Sequence, residues 1–209
     1  MMIYFIFFNF SDAFDLDNGL QIRGKNGVTA FYIYMLNLDQ QNRSKRDGFL
    51  TVMVLKNSQI KKYGINECLK RLVEDLKKMV ETGFQLPNGK TVSVRVVQYR
   101  GDNLEKAKLM RRNENFSTSK HFSDLSYMTT DDRVNARDIE DILPSKFETI
   151  TEASYNEDVR AAANDSDSRG LKEDSVLNQI PYFHVCTTGY MPPCVMHDVM
   201  QGKYVLLTL

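Results

Sequence analysis

The order of the apolar segments narrows what this chain can become. Three extended runs come first: residues 3–10 within "MMIYFIFFNF", "VTAFYIYMLNL" (28–38) and "FLTVMVLK" (49–56). Each is rich in the β-branched and aromatic side chains that suit a pleated, buried surface. The stretch "NECLKRLVEDLKKMVETG" (66–83) follows, with Leu69, Leu72, Val73, Leu76, Met79 and Val80 at helical spacing and Gly83 ending the run. Its other positions are Lys and Glu, as a solvated helix face requires. A fourth strand, "TVSVRVVQYRGDN" (91–103), alternates from Thr91 to Tyr99 and breaks at Gly101. The connections "DLDNGLQIRGKNG" and "LDQQNRSKRDG" are turn-forming, so the first three strands are expected to be antiparallel neighbours. A right-handed helical crossover then returns the fourth strand beside the first and parallel to it. The expectation is an α/β fold with a mixed sheet.

That order carries a chemical consequence. Asp12 ends the first strand in this reading and Asp102 ends the fourth, so both arrive at one edge of the sheet. Two carboxylates held together stay ionised comfortably only beside a cation. Hard oxygen ligands with open positions suit Mg²⁺ or Mn²⁺, which activate water and stabilise an in-line phosphoryl displacement. The ordinary alternative is two turn aspartates with no shared role, because Asp is favoured in turns for its own backbone hydrogen bonds.

Composition bounds the rest. The chain has 209 residues, 42% hydrophobic, with 27 basic and 27 acidic side chains, so a zero formal charge exerts no overall pull on nucleic acid or membrane. Three cysteines (Cys68, Cys186 and Cys194) form no disulfide framework and point to a reducing, intracellular setting rather than secretion. The N-terminal apolar run lacks a basic flank and is too short to span a bilayer, so it reads as core and no membrane is expected. Residues 129–178 are strongly polar and read as a partly helical, loosely packed insertion. The division is therefore a core over 1–128, the insertion over 129–178 and a hydrophobic return segment over 179–209. "KLMRRNENF" and "RSKR" (43–46) are the compact basic clusters, and Lys108, Arg111 and Arg112 are the candidates for phosphate contact. A solvated surface run is the commoner explanation for such charges.

The residues "SDAFDLDNGL … TAFYIYMLNL … RSKRDGFLTVMVL … KKYG … LVEDLKKM … GK … RGDNL" resemble the catalytic region of ribonuclease-H-like DDE transposases, CACTA-like in character. The likeness runs from about Ile3 to Gly202, and "GDN" and "PPCVMHDVMQG" are its most specific parts. It implies a ribonuclease-H-like fold, Asp12 and Asp102 as the first two acids of a Mg²⁺ or Mn²⁺ triad, DNA at transposon ends as partner, assembly as a homo-oligomer and a nuclear setting. "CVMH" supplies Cys194 and His197, a soft pair that suits Zn²⁺ but does not close a tetrahedral site; a buried Cys and a hydrogen-bonded His after Pro192-Pro193 is the alternative.

The sequence also departs from that family. Ser123 and Ser126 stand where a Cys-x-x-Cys pair is expected, Gln201 stands where a carboxylate is expected, and the third acid has no assigned position, Glu173 and Asp198 being the remaining candidates. The expectation is a transposon-derived fragment that is catalytically silent. The alternatives are a non-catalytic DNA- or protein-binding remnant, or an active nuclease of the same fold with a third carboxylate elsewhere.

Overall fold

A computed structural model describes residues 5–15, 27–35, 49–101, 103–115, 121, 126–164, 166–186 and 195–197. The fold is mixed α/β. Strands β1 (Phe5–Asp15), β2 (Gly27–Met35) and β3 (Phe49–Lys56) lead into a short helix α1 (Asn57–Tyr63) and the long helix α2 (Ile65–Thr82). A small hairpin of β4 (Phe84–Gln85) and β5 (Thr91–Val92) precedes β6 (Val94–Gly101) and α3 (Asn103–Leu109). Helices α4 (Thr130–Asn135) and α5 (Glu152–Ala163) follow, and β7 (Val195–His197) returns to the sheet.

The main sheet has the order β3-β2-β1-β6-β7. β1 pairs antiparallel with β2, β2 antiparallel with β3, and β1 parallel with β6. The expected strand order is therefore the observed one, and β7 adds a further parallel neighbour to β6. One boundary differs: β1 does not end at Asp12 but continues to Asp15. Its partner β2 extends that far, with Asp12 opposite Ala30 and Asp15 opposite Gly27, and the last described pair with β6 is Ser11–Gly101. β2 is described over Gly27–Met35, and the rest of its expected span, residues 36–38, lies outside the described residues.

Helix α2 buries the anticipated stripe. Leu69, Leu72, Val73 and Leu76 pack with Phe31, Ile33, Val94, Val96 and Tyr99 of the sheet, and Met79 and Val80 are partly buried at its end. Its outer face carries exposed ion pairs such as Arg71–Asp75. Gly83 ends the helix at φ 77°, where its N–H donates to the Met79 carbonyl. A side chain there would meet Thr91 Cγ2 at 2.7 Å and the Val92 carbonyl at 2.8 Å, so glycine is what lets the hairpin pass this close.

The polar segment is not loosely packed. Ile150, Tyr155, Leu171, Val176 and Leu177 join the same cluster as α2 and the sheet. Thr129 and Thr151 cap α4 and α5 through capping boxes that satisfy the first backbone donors. Asn66 at the start of α2 donates to the Asp174 carbonyl at 2.7 Å and accepts from the Val176 amide at 3.1 Å. The expectation of a loose insertion fails because a few well-placed apolar residues suffice when the polar ones between them are paired.

Candidate metal-binding edge of the sheet

The register aligns three backbones at one edge. Ser11 of β1 pairs with Gly101 of β6, and Gly101 pairs in turn with His197 of β7. Asp12 is the next residue of β1, the first beyond the last described β6 pair. The strand beside it is dry: Val28, Thr29, Ala30 and Phe31 of β2 are all buried. Thr29 Oγ1 donates to Asn57 Oδ1 at 2.8 Å, tying β2 to the start of α1. Asp102 and Asp198 follow Gly101 and His197 in the chain and lie outside the described residues, as do Cys194, Ser123, Gln201 and the basic run 43–46.

Among the described residues, no group of three or more His, Cys, Asp or Glu could hold a metal ion. The described part of the edge thus offers the backbone position of Asp12 and no complete ligand set for Mg²⁺, Mn²⁺ or Zn²⁺. Ser126, one of the two serines in place of the expected cysteines, is fully buried in a bridge to Thr149.

The basic candidates each have a carboxylate of the chain nearby. Arg112 is 4% exposed, with its guanidinium 5.8 Å from the Tyr127 ring centre and Nη2 4.0 Å from Asp158 Oδ2. Arg111 holds Glu173 through Nε at 2.7 Å and Nη2 at 2.6 Å. Lys108 Nζ lies 2.6 Å from Glu105 Oε1, a carboxylate that is itself buried. Each cation answers a carboxylate of its own chain, so the three do not form an open phosphate-binding patch. Glu173, a candidate third acid, is engaged by Arg111 in the same stroke.

Sequence reasoning missed the most elaborate polar cluster. Asp158 on α5 is 2% exposed; its Oδ2 accepts from the Tyr127 hydroxyl at 2.8 Å and its Oδ1 from Arg169 Nε at 2.6 Å. Arg169 also donates to the Ser154 carbonyl at 3.3 Å, and its guanidinium lies 3.7 Å from the Tyr127 ring centre. Burial, with the Asp158 carboxylate beside it, pushes the Tyr127 hydroxyl up to about 12. The available signal was the spacing of Ser154, Tyr155 and Asp158, which puts an acid on the inward face of an otherwise ordinary amphipathic helix.

A further buried charge lies on α3. Lys106, in the first turns of α3, is 2% exposed and ranks with the largest fully buried side chains. No helix among the described residues is long and apolar enough to cross a membrane. Compared with family models, curated proteins and solved structures, the chain matches none of them.

Proposed function

We propose that this chain is a transposon-derived fragment with a ribonuclease-H-like core, whose ancestral chemistry was divalent-metal-dependent cleavage and transfer of DNA strands. The observation that carries the reading is the parallel pairing of β1 with β6 inside the order β3-β2-β1-β6-β7. It sets Ser11 beside Gly101, so the chain positions of Asp12 and Asp102 follow directly from two adjacent parallel strands. Open α/β sheets concentrate ligand-binding groups at such strand ends. A bound Mg²⁺ or Mn²⁺ would supply Lewis acidity and an activated water; Asp12 and Asp102 would hold it. The setting proposed by resemblance is nuclear, with DNA as partner and identical copies as the assembly.

The fragment is proposed to be silent in catalysis. Two-metal chemistry needs carboxylates on both sides of the scissile phosphate, and Gln201 offers a neutral carbonyl where an acid would serve. The DNA-binding form of the non-catalytic alternative loses its cluster at 108–112 to internal ion pairs. Its protein-binding form has in its favour the outer strand β3, where Leu50 and Val54 are 61% and 55% exposed.

The test uses the full chain on supercoiled DNA, with Asp12→Asn and Asp102→Asn beside it. Weak Mn²⁺ binding lost in both variants, with no nicking by any protein, is the expected result. Metal-dependent nicking that both variants lose overturns the silent reading and identifies an active nuclease. Mn²⁺ binding indifferent to both substitutions overturns the metal edge itself.

A further inference from the structure

We propose that helix α1 and its N-cap are the surface on which this chain meets the phosphate backbone of DNA, through Lys56, Lys61 and Lys62. The proposal rests on the function proposed above for DNA as the partner. It supplies the contact surface that Lys108, Arg111 and Arg112, each beside its own carboxylate, do not form.

The charges are segregated along the chain. The protein is neutral overall, yet residues 49–66 carry three lysines and no acid. Lys56, Lys61 and Lys62 are all exposed, and no carboxylate among the described residues forms an ion pair with them. The next helix treats similar charges differently. On α2, Lys70, Arg71 and Lys77 each stand beside an acid three or four residues away, namely Glu67, Asp75 and Glu81.

Local stability accounts for two of the three lysines. Lys61 and Lys62 lie in the last turn of α1, where the helix dipole favours positive charge. Lys56 occupies the N-cap, a position that prefers Ser, Thr, Asp or Asn and where the same dipole disfavours a cation. A polyanion outside the chain answers all three charges at once.

The helix is also anchored well enough to present them. Ile60 packs against the core, Asn57 Oδ1 accepts from Thr29 Oγ1 at 2.8 Å, and the Gly64 N–H donates to the Ile60 carbonyl at 2.9 Å. Lys62 Nζ lies 4.7 Å from the centre of the Tyr63 ring, which is itself 56% exposed, so this ammonium is held at the surface. From Lys56 to Lys62 the helix advances about 9 Å, which covers two or three phosphates of one duplex strand at about 3.4 Å each. A membrane-surface helix needs a broad apolar face, whereas the one aliphatic side chain of α1, Ile60, is turned to the core. Lysine ammonium groups act as point charges, so the contact is to backbone phosphate and independent of sequence.

The experiment titrates a fluorescent DNA duplex of arbitrary sequence with the full chain, by anisotropy across a range of salt concentrations. The variant Lys56→Gln/Lys61→Gln/Lys62→Gln is compared with Lys146→Gln/Arg160→Gln/Lys172→Gln, which removes the same charge from exposed positions of the later segment. The expected result is duplex affinity lowered about tenfold or more at low salt by the α1 variant alone. Its slope of log affinity against log salt should flatten by about 0.9 per lysine, about 2.7 in all. The melting temperature should stay at the native value, since all three side chains are exposed. Duplex binding that both variants weaken equally, or that neither weakens, overturns this inference and leaves DNA standing as the partner. A native chain with no salt-dependent duplex binding overturns both. Low-salt self-association abolished by the α1 variant, without duplex binding, assigns the lysines to acidic residues of a second copy and likewise overturns the inference. The Mn²⁺ titration of Asp12→Asn tests the metal edge separately from all of these outcomes.

Discussion

Helix α2 and the segment 127–186 pack into one cluster yet use different chemistry to do so. α2 contributes an unbroken apolar stripe, with Leu69 fully buried and every charge on its outer face. The later segment contributes Tyr155, Leu177 and Ile180 but also sinks Asp158, held by the Tyr127 hydroxyl and the Arg169 guanidinium. A stripe of leucines tolerates loss gradually, since neighbours relax into part of the space. A buried carboxylate with named donors does not, because removing it strands those donors without water. Low hydrophobicity in 129–178 therefore marks a region stabilised by specific pairing rather than a region without a core.

The largest expected effect tests that difference directly. Asp158→Ala should cost about 4 kcal/mol in denaturant unfolding, by leaving the buried Tyr127 hydroxyl and the buried Arg112 without their carboxylate. Leu69→Ala should cost about 3 kcal/mol through lost burial and a residual cavity. A cost for Asp158→Ala below about 1 kcal/mol would break the comparison and return the segment to the status of a loose insertion. Gly83→Ala is expected to be intermediate, about 2 kcal/mol, because the new methyl meets Thr91 and the Val92 carbonyl and the backbone is held at φ 77°. A melting temperature unchanged in that variant would mean that the β4–β5 hairpin shifts freely, contrary to its close approach.

The smallest effect sharpens the comparison through pH. The folded chain holds the Tyr127 proton up to about 12, whereas an unfolded tyrosine releases it near its ordinary value of 10.0. The stability linked to this group is fully present below the lower value and is lost as pH rises through the higher one. Unfolding midpoints should therefore fall across this alkaline window, and Tyr127→Phe should flatten the fall while keeping the ring against Arg169. Equal slopes for the two proteins would remove Tyr127 as the source.

Legibility in the sequence followed the same divide. Period-two and period-3.6 patterns report on elements that bury apolar faces, so β3 and α2 could be read within a residue or two. The single strand expected from Thr91 to Tyr99 instead divides into β5, paired with β4, and β6 of the main sheet. The parallel placement of β6 beside β1 also followed, since few right-handed crossovers are possible after three antiparallel strands. The continuation of β1 past Asp12 was hidden, because where a strand ends depends on the length of its partner β2. The Asp158 cluster was hidden for a related reason: its partners are 31 and 11 residues away, and no local pattern distinguishes a solvated acid from a buried one. Lys108, Arg111 and Arg112 looked like a basic patch in sequence for want of the distant Glu173 and Asp158 that answer two of them.

The central position of β1 has a consequence for synthesis. Its antiparallel partner β2 emerges soon after it, but its parallel partner β6 is about ninety residues downstream, the loop implied by the Ser11–Gly101 pair. During translation at ordinary rates β1 therefore waits several seconds with one open edge, carrying "FIFFNF" in the meantime. Apolar, uncharged segments with an unpaired edge are templates for intermolecular pairing. The nascent chain is exposed to misassembly until residue 101 has left the ribosome, and chaperone capture of β1 over that interval would govern the yield of folded protein.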